Sequence, residues 1–445
     1  MRIASPIQNP IRLVPALFIA AIAFGTILLS LPVARSDPGA APLLTALFTA
    51  TSAVAVTGLA TVDTATYWSG FGQAVILLLL QIGGFGIMTA AIVLGIIAGR
   101  DIRLRDRLIT QVERSRFTAG NARSVLLLAF WVTLVVELTV GAILSIRLWT
   151  TYGSAPGEAL WSGLFHAVSA FNNAGFSIYS DSLMAFQNDA WILGPIMAAV
   201  VLSSVGFPVI QELRNRMFRP GTWTLHTKLT LLGTLLLLVG GFGAILAAEW
   251  NNPETLGPMS WDVKILNAWF HSVMPRTAGF NSLDVGAFRS ETLSFNYILM
   301  FIGGGSAGTA GGIKITTFFL ILLIVWSEVR GERDTSVMGR RVSSRTERQA
   351  VAVVALALLF ISIGALVLLS TTQLPLSDVV FEVISAFSTV GLSTGITADL
   401  PPVGQLTLIV LMYVGRVGTI TVATALALQQ SRKPYRYPEE SPIVG

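Results

Sequence analysis

Four segments of this chain align on a glycine without a gap. They are FTATSAVAVTGL (Phe48–Leu59), FHAVSAFNNAGF (Phe165–Phe176), WFHSVMPRTAGF (Trp269–Phe280) and FEVISAFSTVGL (Phe381–Leu392). Each has an aromatic residue ten positions before the glycine: Phe48, Phe165, Trp269 and Phe381. Three carry Ser-Ala six and five positions before it (Ser52-Ala53, Ser169-Ala170, Ser385-Ala386), where the third has Val273-Met274. The glycines Gly58, Gly175, Gly279 and Gly391 are 117, 104 and 112 residues apart. Repetition at so regular a period means one structural unit used four times.

The surroundings of the repeats set the solvent. Apolar runs long enough to span a bilayer as helices occur near 11–32, 71–99, 124–146, 190–210, 229–248, 296–326, 350–369 and 404–428. Each repeat lies between an odd run and the next even one. The apolar stretches 42–57 and 157–174 are too short to cross and suit re-entrant helices. Only 12% of residues are charged and 53% are hydrophobic, against about 25% charged in soluble domains. The expected fold is an all-α integral membrane protein. It has four tandem helix–pore-loop–helix units (1–110, 111–220, 221–340 and 341–445), with eight transmembrane helices and four re-entrant loops in pseudo-fourfold arrangement around one pore. The first run, Leu13–Leu31, lacks a small-residue cleavage site before Pro32 and reads as a retained helix rather than a signal peptide.

Charge orients the array. Of the 29 Lys and Arg residues, 22 fall at Arg2, Arg12, Arg100–Arg123, Arg214–Lys228, Arg330–Arg348 and Arg432–Arg436. By the positive-inside rule these segments and both termini face the cytoplasm, so the short helices enter from outside. The net charge of +5 follows from basic loops beside lipid, and nothing points to nucleic acid. The chain has no cysteine, hence no disulfide and no thiolate metal site. Its three histidines form no ligand set; His166 and His271 read as satisfied residues of the short helices. No nucleophile–base–acid set and no phosphate-binding loop stand out, so an enzyme is not expected.

A cation entering a membrane loses its water and must be coordinated again. Backbone carbonyls do this in ion-channel filters, and Thr389-Val390-Gly391-Leu392-Ser393 is close to such a filter loop. Pointing carbonyls inward takes torsions that glycine tolerates best, and irregular backbone at membrane depth survives only where protein or a wet cavity receives it. The loops Val56-Thr57-Gly58, Asn173-Ala174-Gly175, Thr277-Ala278-Gly279 and Thr389-Val390-Gly391 fit that role. Glycine also ends short helices; one loop alone would favour that reading, and four in register favour a pore. Acids follow every loop, at Asp63, Asp181, Asp284 and Asp399. They serve either as an outer mouth that concentrates cations or as ordinary solvated loop acids.

Two further features interrupt spans. The sixth run contains GGGSAGTAGGIK (Gly303–Lys314). Its Gly303-x-Gly305-x-x-Gly308 spacing matches a dinucleotide fingerprint, but that motif must follow a strand in a soluble αβ unit. At about 1 kcal/mol per glycine relative to alanine, the run is expected to unwind; packing of small residues between helices is the other reading, and suits Gly83, Gly84 and Gly86 better. Arg416 lies mid-span in YVGRVGTIT, where a charge is expensive and marks function. Arg276 puts a charge three residues before a filter glycine, with Asp284 as a candidate partner. Glu137, inside the third run, is expected to be paired or interfacial.

These residues resemble the Trk/Ktr/HKT superfamily of potassium transporters, built from four such units, over nearly the whole chain. The likeness is greatest to the Ktr-type membrane subunit, because Trk-type subunits carry two helices ahead of the first unit. The resemblance implies potassium uptake at the plasma membrane of a prokaryote, with glycine in all four loops arguing for potassium over sodium. It implies that Gly303, Gly304, Gly305, Ser306, Ala307, Gly308, Thr309, Ala310, Gly311 and Gly312 form an intramembrane gate below the filter. Arg416 and, less strongly, Lys314 stand beside that gate. It further implies a homodimer with two pores, and a cytosolic ring of nucleotide-binding regulatory subunits for which RDIRLRDRLITQVERSR (Arg100–Arg116) is a candidate docking surface. No cofactor is intrinsic to the chain; potassium is the cargo, sodium a possible activator, and any nucleotide sits on the partner. A secondary transporter with broken helices is the alternative, although such proteins show two inverted repeats rather than four in one direction. A receptor or structural membrane protein would need neither the filter register nor the mid-span arginine.

Overall fold

The computed structural model describes residues 10–100, 119–332 and 334–418, together with Pro438 and Glu440. The same order of elements occurs four times. First come α1 (Pro10–Leu29), short α2 (Leu43–Val54) and α3 (Gly70–Arg100). Next are α4 (Ala119–Tyr152), short α5 (Pro156–Phe171), and α6 (Ala190–Val205) continued by α7 (Phe207–Arg216). Then follow α8 (Leu225–Glu249), short α9 (Trp261–Val273), and α10 (Ser290–Phe301) with α11 (Ile315–Val329). Last are α12 (Ser344–Thr371), short α13 (Leu376–Ser388) and α14 (Pro402–Tyr413), which widens into a π-helical turn at Val414–Gly418.

Local chemistry sets the ends. Asp189, Thr224 and Ser343 accept hydrogen bonds from the first-turn amides of α6, α8 and α12, satisfying donors that have no helical partner. Proline opens α5 and α14, where its missing N–H costs nothing. A two-residue hairpin pairs Ser336 with Arg341 and Val337 with Arg340. Met338 and Gly339 turn it, both at positive φ, as the tightest hairpin turn requires.

Packing closes the order into a ring. Each short helix packs on the long helix before it: α2 on α1, α5 on α4, α9 on α8, α13 on α12. Each unit's second helix also packs on the next unit's short helix: α3 on α5, α6 on α9, α10 on α13, and α14 back on α2. Outside the ring, large apolar side chains face outward, among them Ile27 (65% exposed), Trp131 (58%), Leu235 (59%) and Leu366 (67%). A soluble protein does not expose so much contiguous apolar surface. Among the described residues, α8, α12 and the Leu126–Tyr152 part of α4 are individually long and apolar enough to cross a bilayer. The molecule is a multi-pass, largely helical membrane protein.

Two of the eight expected runs are not single helices. The fourth, 190–210, breaks between α6 and α7 with a bend of 92°, a correction to the continuous span read from the sequence. Gly206 takes φ +96 there, and Pro208 follows inside the first turn of α7. The sixth opens between Phe301 and Ile315, as its glycine content predicts. Of the eighth, residues 419–428 lie outside the described residues, as do 101–116 of the basic stretch expected to dock a partner.

Candidate functional site

The four glycine loops meet at the centre of the ring. Each follows the C-terminus of a short helix, and each reverses its backbone at the same two places. Val56, Asn173, Thr277 and Thr389 have φ of 54, 58, 71 and 52, and two residues on Gly58, Gly175, Gly279 and Gly391 have φ of 94, 68, 74 and 97. A left-handed conformation costs a non-glycine residue about 1–2 kcal/mol. Paying that four times in one register shows that the surrounding structure demands it.

Glycine at the second place is required by contact. A Cβ on Gly58 would lie 2.3 Å from the carbonyl oxygen of Ala174. On Gly175 it would lie 2.7 Å from that of Ala278, on Gly279 2.4 Å from Val390, and on Gly391 2.1 Å from Thr57. The order is cyclic: every loop presses its glycine on the middle carbonyl of the next, and the fourth closes on the first. None of these four carbonyl oxygens accepts a hydrogen bond within the described residues. Buried backbone acceptors are normally satisfied, so four free ones converging on one annulus form a ready-made cation ligand set.

Side chains behind the loops hold the register. Ser52 and Ser385 each accept the loop glycine's own N–H at 3.1 Å, from Gly58 and Gly391. Ser169 donates to the carbonyl of Phe176. The third repeat lacks that serine, and Gly279 N–H goes instead to the carbonyl of Met274. The repeated Ser-Ala pair thus has a mechanical meaning, and its exception is compensated locally. Phe48, Phe165 and Phe381 are fully buried, and Trp269 stacks on Phe242 at 4.5 Å.

On one side the four glycines line a cavity of about 300 Å³, together with Asp63, Tyr179, Ser180 and Asn281. Asp63 is the only one of the four expected outer-mouth acids that lines it. Burial alone would raise its pKa, but hydrogen bonds from Ser180, Ala65 and Thr66 outweigh that and hold it below the ordinary carboxylate value. Asp181, Asp284 and Asp399 are exposed on the surrounding loops; Asp284 accepts from the N–H of Gly286. Arg276 forms no ion pair with Asp284, contrary to the pairing expected. It is 3% exposed, and no carboxylate lies within ion-pair distance among the described residues.

On the other side lies the unwound segment 302–314. Its neck is closed by Gly303 N–H to the carbonyl of Ile313 and Ile313 N–H to that of Phe301. Its far limb reaches the loops: Gly311 N–H donates to Thr277 Oγ1 at 3.2 Å, and a Cβ on Gly311 would sit 1.9 Å from Thr389 Oγ1. Arg416 Nη1 donates to the carbonyl of Thr309 and Lys314 Nζ to that of Ala310, both at 2.6 Å. Thus the two expected cations do meet the glycine run. Gly303, Gly304, Gly305 and Gly308 each have backbone oxygen within 2.7 Å of where a Cβ would stand. Gly83 and Gly84, by contrast, are helical and packed against Val54 and Asn172, as expected of small-residue packing.

Sequence reading missed the support of this segment. Breaking the fourth run at Gly206 frees the carbonyls at the end of α6. Ser204 accepts from Gly305 N–H at 2.7 Å and Ser203 from Thr309 N–H at 3.3 Å. The same two serines bond the Asn173 side chain, Ser204 Oγ at 2.7 Å and Ser203 Oγ at 3.0 Å. The signal was present as Gly206-Phe207-Pro208, a breaker inside an apolar run. Glu137 is paired as expected, accepting from Gln81 and from Asn172 of the second loop. Among the described residues no group of His, Asp and Glu could hold a metal ion.

Known proteins resemble this chain in sequence and in fold. Residues 12–435 match the TrkH family model, described as cation transport protein. Ktr system potassium uptake protein B of Bacillus subtilis (strain 168) is 41% identical over 429 residues, covering 96% of this chain and 95% of its own. The potassium/sodium uptake protein NtpJ of Enterococcus hirae is 36% identical, covering 98% and 97%. Ktr system potassium uptake protein B of Vibrio alginolyticus is 35% identical, covering 98% and 94%. The crystal structure of the potassium transporter TrkH from Vibrio parahaemolyticus superposes with a TM-score of 0.69 at 17% identity, over 97% of this chain and 87% of that one. With its helical ring, its four converging loops and a match over nearly its whole length, the chain belongs to the TrkH family of cation transport proteins, transporters rather than enzymes.

Proposed function

We propose that this chain carries potassium into the cell through a pore on the axis of its four units, taken as 1–110, 111–220, 221–340 and 341–445. Eight membrane-crossing segments and four re-entrant loops surround that axis in pseudo-fourfold arrangement. The observation that carries the reading is the closed annulus of unpaired carbonyls from Thr57, Ala174, Ala278 and Val390, each seated against the next loop's glycine. The three-residue loops ending at Gly58, Gly175, Gly279 and Gly391 are the selectivity filter. Relatives at 35–41% identity are named for potassium uptake, one of them for potassium and sodium.

The cavity beside Asp63 is the outer vestibule, and the exposed acids Asp181, Asp284 and Asp399 enrich cations around it. Gly303–Gly312 is the gate. It lies against the inner ends of loops three and four, and Arg416 and Lys314 anchor it while placing two positive charges on the ion's path. The chain works as a homodimer at the plasma membrane with cytoplasmic termini, under a nucleotide-binding cytosolic ring.

Cation uptake into liposomes holding the purified protein tests pore and gate together. Deleting Gly304–Gly312 is expected to raise potassium-selective uptake about tenfold, as removal of a barrier of about 1.4 kcal/mol would. Unchanged uptake in a folded deletion would reject the gate. Uptake without preference for potassium over sodium in the wild type would reject the filter.

A further inference from the structure

Each filter loop must leave its glycine and return to the outer surface. In three of the four units one fully buried, ionisable side chain of the short helix holds that outlet. In the second, His166 lies nine residues before Gly175, 2% exposed, with Nε2 2.9 Å from Ser177 Oγ and Nδ1 2.7 Å from the carbonyl of Ser162. In the third, His271 is 0% exposed, and its Nε2 accepts from the N–H of Ser282 at 3.3 Å and of Leu283 at 3.2 Å. In the fourth, Glu382 is 0% exposed and accepts from Ser393 Oγ at 2.8 Å and from Thr397 Oγ1. The contacted residues lie two to six positions beyond the glycines. The first unit has Thr49 at the corresponding place, buried and without a hydrogen-bond partner. Among the described residues its outlet is tied to the second unit through Asp63, which accepts from Ser180 Oγ.

We infer that His166, His271 and Glu382 are struts that fix the width of the filter and thereby its preference for the larger cation. The inference rests on the filter reading above. A smaller ion needs shorter oxygen distances, so the loops must contract to bind sodium. A loop pinned at its outlet to a buried side chain resists contraction, because breaking the contact leaves an unpaired polar group inside the protein. A carboxylate and an imidazole serve equally well because the role is mechanical: each supplies an acceptor at a fixed distance from the helix axis. The loop of the first unit is then the most compliant of the four.

The test uses heat stability of the purified full-length protein in detergent, measured against potassium and against sodium, which reads filter binding whether the gate is open or shut. The quantity compared is the ratio of the sodium to the potassium concentration that half-stabilises the protein. Glu382→Val, His271→Leu and Ser393→Ala are each expected to lower that ratio on the order of tenfold. Glu382→Gln should keep it near the wild-type value, since a carboxamide can accept from Ser393 and donate to Thr397. Ser393→Ala removes the contact from the loop side without touching the short helix, and carries the test if Glu382→Val does not fold. Variants that melt earlier but keep the wild-type ratio would make these residues structural and overturn the inference. Gly391→Ser is the control: if it keeps the wild-type ratio, the filter reading fails, and this inference fails with it.

Discussion

At the scale of single residues, the site is governed by what a missing Cβ permits. Gly391 combines φ +97 with a neighbouring carbonyl 2.1 Å from any added Cβ, while at Gly175 the corresponding distance is 2.7 Å. Both substitutions to alanine would push loops apart, and Gly391→Ala more so. A tenfold loss of potassium over sodium preference, about 1.4 kcal/mol, is expected for Gly391→Ala, with a smaller loss for Gly175→Ala. Competition of sodium against rubidium uptake in liposomes measures both, and equal selectivity in wild type and Gly391→Ala would contradict the contact argument. These glycines were legible in the sequence because they repeat. The left-handed Val56, Asn173, Thr277 and Thr389 were not, since three different residue types hide one conformation, and local propensity opposes it at the β-branched Val56, Thr277 and Thr389.

At the scale of elements, the break between α6 and α7 is the part that sequence reading misjudged. An apolar run of 21 residues from 190 to 210 looks like a span by length and composition. What bends it is the use of the freed carbonyls of Ser203 and Ser204 by a segment about a hundred residues away, a gain invisible to any local rule. The glycine at the bend is doubly constrained, by φ +96 and by Ser306 oxygen 2.5 Å from a would-be Cβ. Gly206→Ala should therefore cost about 1–3 kcal/mol of stability, seen as earlier melting. It should also raise potassium flux, because the glycine-rich segment loses its seat. Lower stability with unchanged flux would uncouple the bend from the gate.

At the scale of the molecule, the proposed orientation puts the basic segments in the cytoplasm and the cavity beside Asp63 outside. The absence of cysteine makes that orientation simple to check with single introduced thiols. Thr151→Cys, at the exposed end of α4, should react with a membrane-impermeant thiol reagent added to intact cells. Glu332→Cys, after α11, should react only once the membrane is opened. The reverse pattern would invert the proposed direction of uptake. The broken helices α6–α7 and α10–α11 are features shared with secondary transporters, but one order of elements repeated four times with cyclic packing of the short helices differs from two inverted halves.

Sequence alone determined the solvent, the fourfold repetition of one order of elements and the glycines that the fold packs against one another. Those properties are written in composition, in apolar run length and in a motif repeated in register. Tertiary structure decided which loop touches which: that Gly58 meets Ala174 and Gly391 meets Thr57, that Asn173 reaches Ser203 and Ser204, and that Arg416 holds Thr309 rather than a carboxylate. Such contacts join residues up to several hundred positions apart. Their energies arise from desolvated polar groups finding partners across units, and no periodicity or local propensity along a single segment encodes a partner in another.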